Sequence, residues 1–382
     1  MKTILFVHQS SELYGSDKTL LFLVTRFKKR GITPIVVLPD RGRLSNILDQ
    51  NNIQIIETPV IKISRKMFAI GNLLNLPFQT LASLKTIDTA LKGIQIDLVY
   101  SNTLAVLIGL LYAKKKGKKH IWHVHEIIQK PTIVKRVFSR LLRLKANDLT
   151  IFNSYATRDF WECTPTDKRS AVVWNGVSMG EDITFLESGS KEALFGLNHQ
   201  EVVIALIGRI NKWKGQLLLL NAFKNLAVQH KNVSLVFVGS TPPGQKEYLL
   251  YLEEKINDFN LRERVKIIPF QSEIQRVWQS IDIAVIPSTE PEPFGLVALE
   301  AMLCAKPVIA ADHGGLKEIV AHGETGLLFE PGNSLALEKA LVTLLNDPEK
   351  RAEMGKKGLL RANTLFTVER YVSEIEKLCV NL

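Results

Sequence analysis

Short, almost unbroken apolar runs rich in β-branched residues recur through this chain, separated by longer amphipathic stretches. In the first half the runs are 4–7, 34–38, 53–57, 97–100, 120–125, 149–152 and 171–174. In the second half they are 202–207, 233–238, 265–268, 283–286 and 307–310. A strand with one face in water alternates apolar and polar residues. Most of these runs do not, so they read as strands buried on both faces by helices. The chain is therefore predicted to be α/β with parallel sheets.

The pattern breaks at residues 178–199, and a fresh strand begins at Glu201. The expectation is two doubly wound, Rossmann-like domains facing each other across a cleft. They cover 1–178 and 199–360, with a linker at 179–198 and a terminal helix at 361–382 that crosses back to the first domain. A chain of 382 residues suits two such domains. With 46% hydrophobic and 23% charged residues it is not a disordered chain. Cys163, Cys304 and Cys379 are too few and too scattered for a disulfide framework or a zinc site. Met1–His8 turns polar too early for a signal-peptide core. The longest apolar stretch, 103–113, is far short of the ~20 residues that span a bilayer. A cytoplasmic protein is expected, with peripheral attachment to the inner face of the plasma membrane left open.

Two segments carry chemistry. In the first, Ser288-Thr289-Glu290-Pro291-Glu292-Pro293-Phe294-Gly295 follows a strand and leads into an apolar helical stretch reaching Met302. Pro293 suits the first helical position. The amides of Phe294 and Gly295 would then mark a helix start, where an anion is favoured. Gly295 would leave room for a close ligand. Glu292 would sit at the mouth of that helix and Glu300 about two turns inside it. Each carboxylate could hold a vicinal diol by accepting two hydrogen bonds. The plainer alternative makes Glu292 a dipole partner and Glu300 a surface residue. Against it, Leu296, Val297, Leu299 and Cys304 surround Glu300 with apolar neighbours. The second segment, Gly208-Arg209-Ile210-Asn211-Lys212-Trp213-Lys214-Gly215, follows the first strand of the second domain. Open α/β sheets bind ligands at such strand ends, and an arginine fork with a lysine suits a diphosphate. A solvated basic turn is the alternative.

Gly208-Arg209-x4-Lys214-Gly215 and Glu292-x7-Glu300, in this order, resemble the signatures of glycosyltransferase family 4, retaining nucleotide-sugar enzymes of the GT-B fold. Smaller matches are Asn175-Gly176, Val238-Gly239, Pro307-Val308-Ile309-Ala310, Gly314-Gly315-Leu316-Lys317-Glu318 and Gly323-Glu324-Thr325-Gly326. The resemblance is dense in the second half and thin in the first. It implies a metal-independent hexosyltransferase without a cofactor, the nucleotide-sugar being a substrate. Arg209 and Lys214 would bind the donor diphosphate and stabilise its departure. Glu300 would hold the ribose, and Glu292 would face the transferred sugar. The amides of Phe294, Gly295 and Leu296 would bind sugar or phosphate, and the loop at Phe270 would lie against the base.

In the first half the family places a functional histidine followed by an acidic residue, which His125-Glu126 matches. His123 shares its strand face and could take the role instead. A core histidine pair or an H-x-H metal site without a clear third ligand are the alternatives. Gly15, in the loop after the first strand, partly matches a donor-side glycine loop; a simple strand-to-helix turn is the alternative. No Asp-x-Asp pair occurs, so cations and helix starts must neutralise the leaving group. No G-x-G-x-x-G follows the first strand, which weighs against a nicotinamide enzyme.

Charge is divided unevenly. Residues 1–180 hold 27 Lys and Arg against 12 Asp and Glu, whereas the rest hold 22 against 26. The first half should therefore meet an anionic partner. Along 131–146, Arg136, Arg140 and Arg143 fall on one helical arc, with Val134, Val137, Phe138, Leu141, Leu142 and Leu144 opposite. This suits a membrane surface, with Ile61-Lys62-Ile63-Ser64-Arg65-Lys66-Met67-Phe68 as a second contact; a core helix with arginines on its outer face is the alternative. The resemblance gives the acceptor to this domain, so a lipid-linked or cell-envelope glycan precursor is the favoured acceptor class, in polysaccharide biosynthesis. Rival readings are a nucleotide-sugar epimerase on the same fold, a donor-binding protein without activity, and a basic nucleic-acid-binding protein. The last lacks any recognisable motif.

Overall fold

A computed structural model of the protein describes residues 2–60, 70–163, 166–178, 191–242, 244–271 and 273–382. The chain divides into two compact units. Unit 1 comprises Met1–Gly176 and Val368–Leu382, and unit 2 comprises Val177–Thr367.

Unit 1 holds β1 (Thr3–His8), β2 (Thr33–Leu38), β3 (Gln54–Glu57), β4 (Leu98–Asn102), β5 (Lys119–Val124), β6 (Leu149–Phe152) and β7 (Ser170–Val172). They form one parallel sheet in the order β3-β2-β1-β4-β5-β6-β7. Unit 2 holds β8 (Val202–Ile207), β9 (Val233–Val238), β10 (Val265–Ile268), β11 (Ile283–Ile286), β12 (Val308–Ala311) and β13 (Gly326–Phe329). Their order is β10-β9-β8-β11-β12-β13, again parallel. The expected doubly wound α/β architecture is the one observed in each unit. β13 is an addition. It is short, only partly buried, and built on glycine and leucine, so it lacks the continuous β-branched signature of an interior strand.

Burial on both faces is visible in β1. Ile4 and Phe6 join Leu20, Leu23 and Phe27 of the helix Gly15–Lys29, while Leu5 and Val7 pack with Ile87, Val99 and Ile108 on the other side. Each large apolar side chain so buried stabilises the fold by about 1.5–3 kcal/mol. The helix Pro348–Leu365 runs through residue 361, where the last boundary was expected, so the final helix begins only at Val368. That helix, Val368–Val380, buries Tyr371, Val372, Ile375 and Cys379 in unit 1's core. Arg30 holds its outer edge through Glu369 and Glu376. Within the stretch expected as linker, Lys191–Phe195 is helical.

The helix Thr132–Leu142 corrects one expectation. Val134, Phe138 and Leu142 face the core, but Val137 and, just beyond the helix, Leu144 are exposed with Arg136 and Arg140. At 100° per residue Val137 and Leu144 fall within about 60° of Arg140, so helical spacing itself sets them beside the arginines and not opposite. The segment 61–68, expected as a second surface contact, lies outside the described residues. Among the described residues no helix is long and apolar enough to cross a membrane.

His120, in the centre of unit 1, is wholly buried between Ser101 Oγ (2.8 Å) and Asn147 Oδ1 (3.0 Å). Burial lowers its pKa from 6.5 to about 4, against the opposing pull of Asn147. The unfolded chain therefore takes up a proton that the folded chain refuses. This contribution to stability is complete above pH 6.5 and is lost as pH falls through the interval down to about 4. Urea unfolding of wild type and His120→Gln should show wild type losing up to about 1.4 kcal/mol more per pH unit within that window. Parallel slopes for the two proteins would contradict the assignment.

Candidate active site

In unit 2 the strand order reverses between β8 and β11, and open α/β sheets leave a crevice at the carboxyl ends of such a pair. Both sequence segments issue from these two strands. After β8 the chain turns through Arg209, and Lys212–Lys214 makes one 3₁₀ turn with Asn211 Oδ1 accepting from Lys214 N at 3.1 Å. Gly215 then presses against β11's exit. A Cβ there would lie 2.0 Å from Pro287 O, and φ is 82°.

This contact brings Lys214 to Glu292. The ammonium is 2.6 Å from Glu292 Oε1, with the side chains only 13% and 8% exposed. The same oxygen accepts from Ser288 Oγ at 2.6 Å, and Ser288 O faces His313 Nε2 at 2.8 Å. Lys214 Nζ also stands 4.3 Å from the Trp213 ring centroid, a cation–π contact. Gly315 N donates to Glu292 O at 2.8 Å, so the carboxylate is fixed at both its side chain and its backbone.

The other expected donor residues lie beyond the ends of β8, β10 and β11. Arg209 is exposed on the turn, whose shape is held by Gln216 Nε2 donating to Arg209 O (2.9 Å) and Ile210 N donating to Ser240 O (3.0 Å). Ser240 Oγ also accepts from Phe270 N at 3.2 Å, which ties the 54%-exposed Phe270 to the same edge. The helix start differs from expectation. Pro293 is not its first residue, because Leu296–Leu303 follows an N-cap at Gly295 with φ 119°. The helix therefore opens at the Leu296 amide, and Ala298 N already donates to Gly295 O at 2.9 Å. Glu300 is the fifth helical residue, not two turns in, and is buried. Gly295 also has a reason other than ligand access: a Cβ would meet Leu316 Cδ2 at 2.7 Å.

Unit 1 assembles a second polar cluster, at the carboxyl ends of β1, β4 and β5. Gly15 is the first residue of its helix, two residues before Asp17. Asp17 Oδ1 is 2.7 Å from His8 Nε2, and Asn102 Nδ2 is 3.0 Å from His8 Nδ1. Asn102 Oδ1 faces His125 Nε2 at 3.0 Å. His123 lies on the same strand face as His125, ring centroids 4.0 Å apart, with its Nδ1 2.7 Å from Tyr100 OH. Burial pushes His125 down to about 3 and His123 well below its ordinary value. It also lifts Glu126 to about 7, although Glu126 Oε2 accepts from the amides of Leu104 and His125. No third metal ligand joins the two histidines among the described residues.

Sequence reasoning missed Ser288 as a partner of Glu292, and His8, Asp17 and Asn102 as partners of His125. Their signal was position. Ser288 lies just beyond β11, and His8 and Asn102 end strands flanking the point where unit 1's order reverses.

With this geometry in place, residues 15–181 match the family described as Glycosyltransferase Family 4, and residues 190–361 match the one described as Glycosyl transferases group 1. The chain belongs to the group 1 glycosyltransferases, and its two Rossmann-like units are of the GT-B class. Over 200 residues it is 33% identical to D-inositol 3-phosphate glycosyltransferase of Corynebacterium glutamicum, covering 49% of this chain and 47% of that protein. The chain thus spans about half the length of the curated relatives it matches. HepE of Anabaena, solved in complex with UDP-glucose, is 26% identical over 100% of both chains, with a TM-score of 0.84. A glycosyltransferase from Rickettsia africae shares the fold at 20% identity and a TM-score of 0.85, covering 99% of this chain and 97% of that one.

Removing one member of a nearly buried ion pair strands the other charge, which costs about 3–5 kcal/mol in buried examples. A double-mutant cycle of Lys214→Met and Glu292→Gln, read by chemical denaturation, should give a coupling of about 1–3 kcal/mol. Additive effects would show that the pair contributes nothing to holding the two loops together.

Proposed function

We propose that this chain is a retaining glycosyltransferase that moves a hexose from a nucleoside-diphosphate donor to an acceptor hydroxyl. The observation that carries this reading is the Lys214–Glu292 contact of 2.6 Å at the reversal point of unit 2's sheet. It joins a cation suited to phosphate with a carboxylate suited to sugar hydroxyls. Arg209 and Lys214 hold the diphosphate and absorb the charge that develops as the bond to the sugar breaks. Glu292 accepts from hydroxyls of the transferred sugar, Glu300 from the ribose, and the exposed Phe270 ring lies against the base. The amides of Phe294, Gly295 and Leu296 complete the donor site, and no metal enters this scheme. Unit 1 receives the acceptor, with Gly15 and His125 on its substrate side. The acceptor oxygen bonds to the anomeric carbon on the face the diphosphate leaves, and its proton passes to a departing phosphate oxygen. The complexes of the Anabaena relative with UDP and UDP-glucose favour uridine diphosphate sugars as the first donors to try.

The acceptor reading extends to an anionic membrane surface. Beside Arg136 and Arg140, the outward face of Thr132–Leu142 exposes Ile133 (57%) and Val137 (40%). Cations with interleaved apolar side chains suit lipid headgroups and the acyl boundary beneath them. A lipid-linked glycan precursor fits such a surface, worked on from the inner face of the plasma membrane.

Glu292→Ala or Lys214→Ala should reduce transfer to background, and UDP should raise the melting temperature of wild type more than that of Lys214→Ala. Near-wild-type turnover of either variant at limiting donor would refute these roles. Product that forms without an acceptor would favour epimerisation. For the membrane, flotation with phosphatidylglycerol-rich vesicles at low salt should carry the protein upward, and replacing Arg136, Arg140 and Arg143 with Gln should abolish this. Wild type left at the bottom of the gradient would end the proposal.

A further inference from the structure

Asn102 is wholly buried and touches three groups whose chemistry fixes which way its amide points. Its Nδ2 is 3.3 Å from Ser16 O, a backbone carbonyl that can only accept. The amide nitrogen must therefore face Ser16 and His8, and Oδ1 must face His125 Nε2 at 3.0 Å. An amide oxygen also only accepts, so the hydrogen of that bond sits on His125 Nε2. A neutral imidazole has a single N–H, which leaves Nδ1 with the lone pair. Upstream, Asp17 takes the Nε2 hydrogen of His8 at 2.7 Å, and His8 Nδ1 then accepts from Asn102. Should His8 gain a second proton, Nδ1 would donate to Asn102 O at 3.0 Å instead. Ser16 O would still orient the amide.

We infer that Asn102 is a positioning residue that holds His125 as its Nε2–H tautomer, presenting Nδ1 as a hydrogen-bond acceptor for a hydroxyl of the bound sugar substrate. This role rests on the transferase reading above. His125 Nδ1 has no partner among the described residues, and His123, stacked at 4.0 Å, spends its own Nδ1 on Tyr100. The strong depression of the His125 pKa by burial keeps the ring neutral, as an acceptor must be. His125 on this view takes a hydrogen bond and never supplies a proton.

The test uses the full chain with ¹⁵N-labelled histidine. The signal of His125 among the eight histidines is found by its loss in His125→Gln. Wild type should show one protonated Nε2 and one lone-pair Nδ1, unchanged from about pH 8.5 to about pH 5.5. Asn102→Leu removes the accepting oxygen and should mix the tautomers. Its kcat should fall by about tenfold or more with a smaller change in donor KM, since tautomer errors act on the reacting complex. Asn102→Asp, which keeps an accepting oxygen, should recover the Nε2–H form and part of kcat. A wild-type His125 found as the Nδ1–H form or as imidazolium would overturn the inference. So would an Asn102→Leu enzyme with altered tautomer and undiminished kcat. The wild-type spectrum decides the tautomer even if Asn102→Leu fails to fold. It does so with or without detectable transfer, so a protein with the tautomer in place and no turnover would count against the transferase reading alone.

Discussion

Lys214 and Glu292 lie 78 residues apart in the chain, yet their contact decides the shape of unit 2's ligand edge. Two nearly buried charges cannot be separated there without stranding one of them. The pair therefore fastens the turn after β8 to the loop after β11. Parallel pairing of β11 with β8 supplies the register, with Ala284 opposite Ala205, and Gly215 permits the close approach to Pro287. Glu292 is not wholly dependent on Lys214, because Ser288 Oγ donates to the same oxygen. An incoming phosphate can thus share the ammonium while the carboxylate keeps a donor. Phosphate and sugar recognition, on the proposed function, are coupled through one hydrogen-bonded oxygen.

The two units use the same strand order to build chemically different clusters. Unit 2 places charge at its reversal point. Unit 1 places His8, Asn102 and His125 at the corresponding strand ends, and burial keeps His125 neutral. Its excess of basic residues lies elsewhere, as on the outer face of Thr132–Leu142. The net charge of a domain and the charge of its polar centre are therefore separate properties, and only the former can be counted from composition.

What could be read in the sequence follows the range of the interactions involved. Interior strands announce themselves because burial on both faces demands continuous apolar residues, whereas β13, at an edge, escapes that demand. Arg209, Lys214, Glu292 and Glu300 stood out because each sits in a short segment with a recognisable resemblance. The helix after Glu292 was misplaced because Pro293 is a good first residue by local rules, while Gly295 in a left-handed conformation postpones the start. Ser288 with His313, and Asn102 with His8, are pairings across 25 and 94 residues. Nothing local signals them. By contrast, Val137 was legible: at 100° per residue it stands about 60° from Arg140, on the arginines' own side and not opposite them.

The neutrality of the buried His125 bears on the chemistry proposed. In glycosyl transfer the sugar gains positive, oxocarbenium-like character while the departing diphosphate gains negative charge. Cations help at the diphosphate and would oppose the reaction at the sugar. On the proposed function, Arg209 and Lys214 supply the first requirement. The second suits a histidine that cannot hold a proton, and burial, aided by the neighbouring His8, pushes the His125 pKa to about 3. Solvent exposure would return an imidazole to its ordinary titration near neutrality, which on the proposed function would add a positive charge to unit 1's substrate side. The buried Asp17–His8–Asn102 chain therefore does more than satisfy polar groups in a core. It supplies an acceptor without a charge, which an isolated histidine on a surface loop could not.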